Sequence, residues 1–344
     1  MTCKAWRPLA GLFAAVFIAA PAWAQTPAEL GWCTGDANAT PALQIKDCTA
    51  VIQGGKATPL NLVIALTIRG RAYDLVGDQA RALEDLNRAI ELNATNAGAF
   101  MLRGAVHGKR RAYDSAIADY TEAVRLDPKL ASALSDRGLA YAGKGEFGRA
   151  IADYTEAIRI DPKLAVAFNN RGVARLVQRD NANALADFTE AIRLNPNYVG
   201  AYNSRGNIRA ATGAYADAIA DYSQAIKLAP RDPTAWVGRC WTRAIAGDMP
   251  AALADCNELM KLRPNDPYAL VIRGFAHLKS GQLDAALADY NAVLRHDPKN
   301  VAALYGRGTA ELKKRNTARG DADVAAAKAI KPDIAEEFAR YGVK

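Results

Sequence analysis

Residues 131–164 read ASALSDRGLAYAGKGEFGRAIADYTEAIRIDPKL, and residues 165–198 repeat the pattern as AVAFNNRGVARLVQRDNANALADFTEAIRLNPNY. The two stretches align without a gap at a spacing of 34 residues, and that spacing continues on both sides. Its Arg column comprises Arg69, Arg103, Arg137, Arg171, Arg205, Arg239, Arg273 and Arg307. Its Asp column comprises Asp85, Asp119, Asp153, Asp187, Asp221, Asp255, Asp289 and Asp323. A Pro column runs with the same period from Pro128 to Pro332. Three columns that share one period predict eight tandem copies of one unit over residues 63–334.

Each copy contains two helical patterns. Phe100, Gly104 and His107 are spaced i, i+4, i+7, as on one face of a helix, and Ala116 and Tyr120 begin a second such pattern. A turn rich in Gly, Lys and Arg separates the two. The closing Pro disfavours helix at the residue before it and then fits the first turn of the next helix. The sequence therefore predicts an all-α chain of helix-turn-helix repeats.

The chain resembles the tetratricopeptide repeat family over residues 63–334. The period, the first-helix Gly, the second-helix Ala and aromatic columns and the closing Pro carry this resemblance, although Arg stands where the family usually has Leu before the Gly. The last copy is degraded at Gly320, Val324 and Lys328, as expected of a terminal repeat that faces water. The resemblance implies an α-α superhelical solenoid with a concave groove, and hence a non-enzymatic protein–protein interaction scaffold that binds a peptide or partner protein.

The first 24 residues resemble an export signal. Lys4 and Arg7 supply the positive region, Leu9–Ala20 supply an apolar run too short to span a bilayer, and Ala22-Trp23-Ala24 matches the A-x-A cleavage pattern. We predict cleavage after Ala24, no membrane-spanning segment in the mature chain, and a location in the periplasm or outside the cell. An uncleaved N-terminal anchor is the alternative.

The flanks of the repeats are predicted to cap them. Residues 25–62 resemble a degenerate capping hairpin, and residues 335–344 are expected to form a C-terminal capping helix. Four Cys remain after signal cleavage, an even number in an exported chain, and each pair places one Cys on each helix of a hairpin. We predict two disulfides, Cys33–Cys48 and Cys240–Cys256. Reduced, buried Cys is the alternative for both pairs.

The recurrent Arg and Asp permit two interpretations. They could form a polar binding strip, or they could pair with each other within or between repeats and fix the register of the helices. We favour pairing, because invariance between copies suits a scaffold, whereas recognition positions usually differ from repeat to repeat.

Two variable columns on the first helices are predicted to line the groove, and we call them the groove columns. The first comprises Thr67, Met101, Ser135, Asn169, Asn203, Val237, Val271 and Tyr305. The second comprises Arg71, Ala105, Leu139, Val173, Asn207, Trp241, Phe275 and Thr309.

Two parts of the groove columns are candidate partner sites. Asn169, Asn203 and Asn207, with Asn170 adjacent, can hold the backbone of an extended peptide because amides both donate and accept hydrogen bonds. The aromatic patch of Trp241, Phe275 and Tyr305, flanked by Val237 and Val271, suits an apolar anchor or an amphipathic helix. These aromatic side chains could instead pack against neighbouring helices or against the terminal helix near Ile334–Tyr341. An alternative function is binding of a glycan or lipid at the aromatic patch.

Other classes of function find little support. The chain has three His and five Cys, and its formal charge of +8 over 344 residues does not require nucleic acid. Residues 143–148 match G-x-G-x-x-G but lie in a turn between helices, without the preceding strand of a dinucleotide site. We therefore expect no catalytic residues, no metal and no cofactor, and a protein or peptide partner. The oligomeric state is left open.

The signal prediction can be tested by expressing the full chain in a Gram-negative host and measuring the intact mass of the periplasmic product. The mature protein should begin at Gln25. Ala24→Leu should block cleavage, because the peptidase requires a small residue at this position. Recovery of the chain with residues 1–24 still attached would contradict the prediction.

Overall fold

A computed structural model describes Cys33 and residues 39–343. The predicted signal and cleavage site lie outside the described residues, as does most of the first helix of the predicted N-terminal hairpin. The described part contains 18 helices and no strands, which confirms the all-α class. They are α1 Pro41–Gln53, α2 Pro59–Leu75, α3 Gln79–Leu92, α4 Ala97–Lys109, α5 Tyr113–Leu126, α6 Ala131–Gly143, α7 Phe147–Ile160, α8 Ala165–Val177, α9 Asn181–Leu194, α10 Val199–Ala211, α11 Tyr215–Leu228, α12 Pro233–Ala246, α13 Met249–Leu262, α14 Pro267–Lys279, α15 Leu283–His296, α16 Val301–Lys313, α17 Thr317–Ile330 and α18 Ile334–Arg340.

Helices α2 to α17 form eight consecutive pairs, which we number repeats 1 to 8. The first pair begins at Pro59, four residues before the predicted boundary at Val63. The reason is local: the Thr58 hydroxyl accepts a hydrogen bond from the amide of Asn61, and Pro59 occupies the first turn, where its missing N–H costs nothing. The first repeat helix therefore begins within the segment 25–62 that we assigned to the capping hairpin.

The chain divides into two compact units, residues 1–128 and 129–344. In the first, α1 packs on α2 and the two helix pairs of repeats 1 and 2 follow in series. In the second, the six helix pairs of repeats 3 to 8 are stacked in series, and α18 packs on α16 and α17. Consecutive first helices of the second unit contact each other, whereas consecutive second helices do not. The first helices therefore form the inner row of this unit.

In seven of the eight repeats, a glycine of the first helix lies against an aromatic or aliphatic side chain of its partner helix. A Cβ added to Gly206 would lie 2.9 Å from Cε1 of Tyr222, and a Cβ on Gly238 of the next repeat would lie 2.5 Å from the same atom. The Tyr222 ring is thus held between two glycines of successive repeats. The same arrangement recurs at Tyr290, between Gly274 and Gly306. Close backbone approach to the ring explains the Gly column that the sequence displays.

This contact predicts that Gly238→Ala destabilises the protein. The Tyr222 ring cannot move away from the new methyl group because Gly206 lies behind it. We expect a net loss of about 1–2 kcal/mol, since overpacking outweighs the better helix propensity of Ala. Gly148→Ala is the matched control, because Gly148 is helical and a Cβ there meets nothing within 4 Å. Urea unfolding followed by circular dichroism should show a lower midpoint for Gly238→Ala alone. Equal midpoints for the two variants would contradict the packing argument.

Candidate binding groove

The recurrent Arg and Asp of each repeat are joined in a forked ion pair. In repeat 5, Nε of Arg205 donates to one carboxylate oxygen of Asp221 at 3.0 Å and Nη2 donates to the other at 2.6 Å. Asp221 is 3% exposed. All eight repeats have the same two bonds, at lengths between 2.6 and 3.1 Å. Pairing within each repeat, favoured from the sequence, is confirmed.

The remaining guanidinium nitrogen, Nη1, donates to a side chain on the helix that precedes the repeat. Nη1 of Arg205 donates to the hydroxyl of Thr189 at 3.3 Å, and Nη1 of Arg239 donates to Ser223 at 2.9 Å. The acceptor is Thr, Ser or Asn in the seven repeats where this bond is described. One side chain therefore fixes the helix pair and the repeat before it. The pairing also lowers the availability of these charges to a ligand, because both partners are largely buried.

The middle of the groove columns contains amide oxygens without protein partners. Asn203 on α10 is 8% exposed, and its Oδ1 accepts no hydrogen bond from the described residues. Asn169 occupies the equivalent position on α8, where Nδ2 donates to Oδ1 of Asn170 at 3.2 Å and its own Oδ1 is likewise unpaired within the described chain. A buried acceptor left without a donor costs about 1–3 kcal/mol. Two such oxygens in successive repeats mark this stretch as a candidate site for hydrogen-bond donors.

The other predicted amide has a different role. Asn207 is exposed, and its Oδ1 accepts a hydrogen bond from the hydroxyl of Tyr222 at 2.7 Å. Burial raises the pKa of Tyr222 to about 12, so this hydroxyl stays protonated and remains a donor at neutral pH. On the same column, Leu139 is 55% and Val173 is 42% exposed. The first helices of repeats 3 and 4 therefore present open apolar side chains beside the Asn group.

The aromatic patch is covered by the C-terminal helix of the same chain. Ring centroids of Tyr305 and Phe338 are 4.7 Å apart, those of Phe275 and Phe338 are 5.7 Å apart, and those of Trp241 and Tyr341 are 5.1 Å apart. Phe275 is only 2% exposed. The expectation that these side chains line an open groove is corrected here, because the terminal helix packs on them. The alternative that we left open, packing against the segment near Ile334–Tyr341, is the observed arrangement.

The flanking valines are also engaged within the chain. Val237 packs beside Trp241 on the cluster of Cys240, Cys256 and Ile272. Val271 packs on the large core cluster of the last three repeats, which also contains Phe338. Both valines are half-buried and contribute little open surface.

Lys279, at the end of α14, is a site residue that the sequence pattern did not reveal. Its Nζ donates to the carbonyl oxygen of Ala244 at 2.9 Å and lies 5.8 Å from the ring centroid of Phe275. Burial lowers the pKa of this amine. Lys279 thus caps the carboxyl end of α12 beside the covered patch. Lys279 lies four residues after Phe275, a member of the second groove column, and this spacing places both on one face of the helix. The sequence offered no reason to single it out, because Lys at a helix end is usually solvated.

The four cysteines meet in the predicted pairs. The Sγ atoms of Cys33 and Cys48 are at disulfide distance with Cα atoms 5.0 Å apart, and those of Cys240 and Cys256 are at disulfide distance with Cα atoms 5.5 Å apart. All four side chains are fully buried. In repeat 6, Cys240 occupies the Gly position and Cys256 the aromatic position, so this pair replaces the contact between glycine and ring found in repeat 5.

The structure also bears on a dinucleotide site, a metal site and a membrane-spanning helix. Residues 143–148 join α6 to α7, two helices, so the G-x-G-x-x-G match lacks the strand that a dinucleotide site requires. Among the described residues, no cluster of His, Cys, Asp or Glu is suited to hold a metal ion. Within that same part of the chain, no helix has the length and hydropathy needed to cross a bilayer.

Comparison with known families agrees with the geometry. Family models described as Tetratricopeptide repeat match residues 64–96, 131–164, 169–233, 210–267 and 244–329, and one described as TPR repeat matches residues 112–145. The chain belongs to the tetratricopeptide repeat family. No curated protein sequence matches it. These repeats support a protein-interaction scaffold.

Solved structures share the fold at low sequence identity. A Pseudomonas aeruginosa PilF structure matches with a TM-score of 0.57 and 19% identity, over 61% of this chain and 96% of that one. A tetratricopeptide repeat protein from Parabacteroides merdae matches at 0.52 and 20%, over 72% and 97%. The Cut9–Hcn1 assembly of APC/C matches at 0.55 and 15%, over 92% of this chain and 62% of that one. At these identities the likeness concerns the fold alone.

Alkylation of the denatured protein without reductant tests whether the cysteine pairs are oxidised. We expect the mature chain to take up no label before reduction and four labels after it, as read from the intact mass. The burial of the sulfur atoms is no obstacle, since the chain is unfolded during labelling. Four labels without reductant would show that the cysteines are reduced core residues.

Proposed function

We propose that this protein is an exported interaction scaffold that holds an extended peptide segment of a partner protein along the first helices of repeats 3 to 5. The observation that carries the proposal is the pair of unpartnered oxygens, Asn169 Oδ1 and Asn203 Oδ1, at equivalent positions of successive repeats. Peptide N–H groups are the donors that would satisfy them.

The geometry of stacked helices suits an extended ligand. Packed helices lie about 8–10 Å apart, and an extended chain rises about 3.3 Å per residue, so roughly three peptide residues bridge the two asparagines. The amide group can rotate about χ2 and turn its oxygen towards the groove when a donor arrives. Exposed Leu139 and Val173 on the neighbouring column would take apolar side chains of the same peptide.

Export is the second element of the proposal. It is supported by the signal-like residues 1–24 and by two cysteine pairs at disulfide distance, which are typical of oxidising compartments. If oxidised, the Cys33–Cys48 pair closes a loop of 15 residues at the start of the repeats. Such a closure stabilises a fold by about 3 kcal/mol. We propose a location in the bacterial envelope or outside the cell.

The mechanism is equilibrium binding without a covalent step. The charges that recur in every repeat are used in ion pairs, and the groove columns offer amides and aliphatic groups in place of a nucleophile with its base. Binding of a glycan or lipid at the aromatic patch is not proposed, because the terminal helix already covers Phe275.

The proposal is tested with peptides selected from a random displayed library on the immobilised mature protein. We then expect the double variant Asn169→Ala, Asn203→Ala to bind the selected peptides about 30-fold more weakly than the wild type. This value follows from two hydrogen bonds of about 1 kcal/mol each. Fluorescence anisotropy of labelled peptides provides the measurement.

Asn181→Ala is the matched control, because Asn181 is an exposed amide at the start of the second helix α9, away from the groove columns. It should leave the affinity unchanged. Selected peptides that bind the double variant and the wild type equally well would overturn the proposal, as would a library that yields no specific binder.

A further inference from the structure

The C-terminal helix reaches much further than a cap of the last repeat requires. Phe338 of the helix contacts Tyr305 of repeat 8 and Phe275 of repeat 7, and Tyr341, the residue that follows the helix, contacts Trp241 of repeat 6. A helix that only shielded the end of the stack would touch repeat 8 alone. Helix α18 packs on repeat 8, and the side chains of the segment Ile334–Tyr341 extend over groove-column residues on the first helices of three successive repeats.

The inward face of this segment has a simple spacing. Ile334, Phe338 and Tyr341 follow at i, i+4 and i+7, with Ile334 3% and Phe338 6% exposed, whereas Glu336 and Arg340 face solvent. Val343, just after the helix, is also buried. Such a pattern is typical of an amphipathic helix that binds in an apolar groove.

Helix α18 is too short to be stable without the groove. It has seven residues, and isolated helices below about 12–15 residues are marginal in water. The helical conformation of α18 therefore depends on the aromatic contacts. The entropy cost of ordering the segment offsets part of the free energy that these contacts provide. A partner helix that is already formed avoids this cost and can make the same contacts.

We propose that the first helices of repeats 6 to 8 are a second binding surface, specific for a partner helix with bulky apolar side chains at i, i+4 and i+7, and that α18 is its resident, exchangeable occupant. The side chains of α18 show what the surface accepts: an aliphatic group, then two aromatic rings against Trp241, Phe275 and Tyr305. This surface is separate from the Asn-lined stretch of repeats 3 to 5, so neither proposal depends on the other.

The covalent connection of α18 to the repeats sets how strongly it competes with a free peptide for this surface. A segment joined to its site by a few residues acts at an effective concentration in the millimolar range. A free copy of the same segment should therefore bind poorly to the wild type, and well once the resident helix is released. A longer, preformed helix with the same spacing should displace it.

The test uses the full mature chain and a fluorescent synthetic peptide of residues 331–344. The variant Phe338→Ala, Tyr341→Ala should release α18 and bind this peptide at least ~10-fold more tightly than the wild type, as expected when a competitor at millimolar effective concentration is removed. The variant Glu336→Ala, Arg340→Ala changes the solvent face of the same helix and should bind as weakly as the wild type. A longer helical peptide with Ile, Phe and Tyr at i, i+4 and i+7 should bind the wild type, and its scrambled version should not.

Equal peptide binding by the wild type and the released variant would overturn the proposal, because the peptide would then bind elsewhere. No binding to a folded released variant would overturn it as well. Hydrogen exchange of the unmodified protein gives an independent answer if that variant fails to fold. Amides of residues 337–340, which are hydrogen-bonded within the helix, should exchange at least ~100-fold faster than those in the middle of α14, because they open locally. Equal protection of the two helices would show that α18 is a permanent part of the core.

Discussion

The forked ion pair between the recurrent Arg and Asp is the contact on which the stack depends. It joins the two helices of each repeat, and the remaining guanidinium nitrogen binds the preceding second helix in the seven repeats where that bond is described. Removal of one partner from a buried pair typically costs about 3–5 kcal/mol, because the other charge is left unpaired. The Gly that follows most of these Arg residues then places the backbone against an aromatic or aliphatic side chain of the second helix.

Periodicity made much of this predictable. The 34-residue spacing fixed the number of repeats, and the separation of 16 residues between Arg205 and Asp221 agreed with a pair across one hairpin. The same logic placed Cys240 opposite Cys256. These contacts lie inside one repeating unit, so a pattern that recurs along the sequence contains them.

The covering of the aromatic patch was not predictable in the same way. Trp241, Phe275 and Tyr305 have the spacing of groove residues, but their exposure depends on Phe338 and Tyr341, which lie outside the period. A pattern within repeats describes which face a side chain occupies and leaves open what packs on that face. The burial of Asn203 is a similar case, because its place in a groove column predicts an open face and the side chain is 8% exposed.

The direction of the Arg hydrogen bond between repeats has a consequence for biosynthesis. In the seven repeats where this bond is described, the guanidinium donates to an acceptor that precedes it in the chain, as Arg239 does to Ser223. During translation the acceptor helix is synthesised before the Arg that donates to it. A new hairpin can therefore pack on a helix that has already folded. Each compact unit can therefore fold progressively from its amino-terminal end while the rest of the chain is still being synthesised.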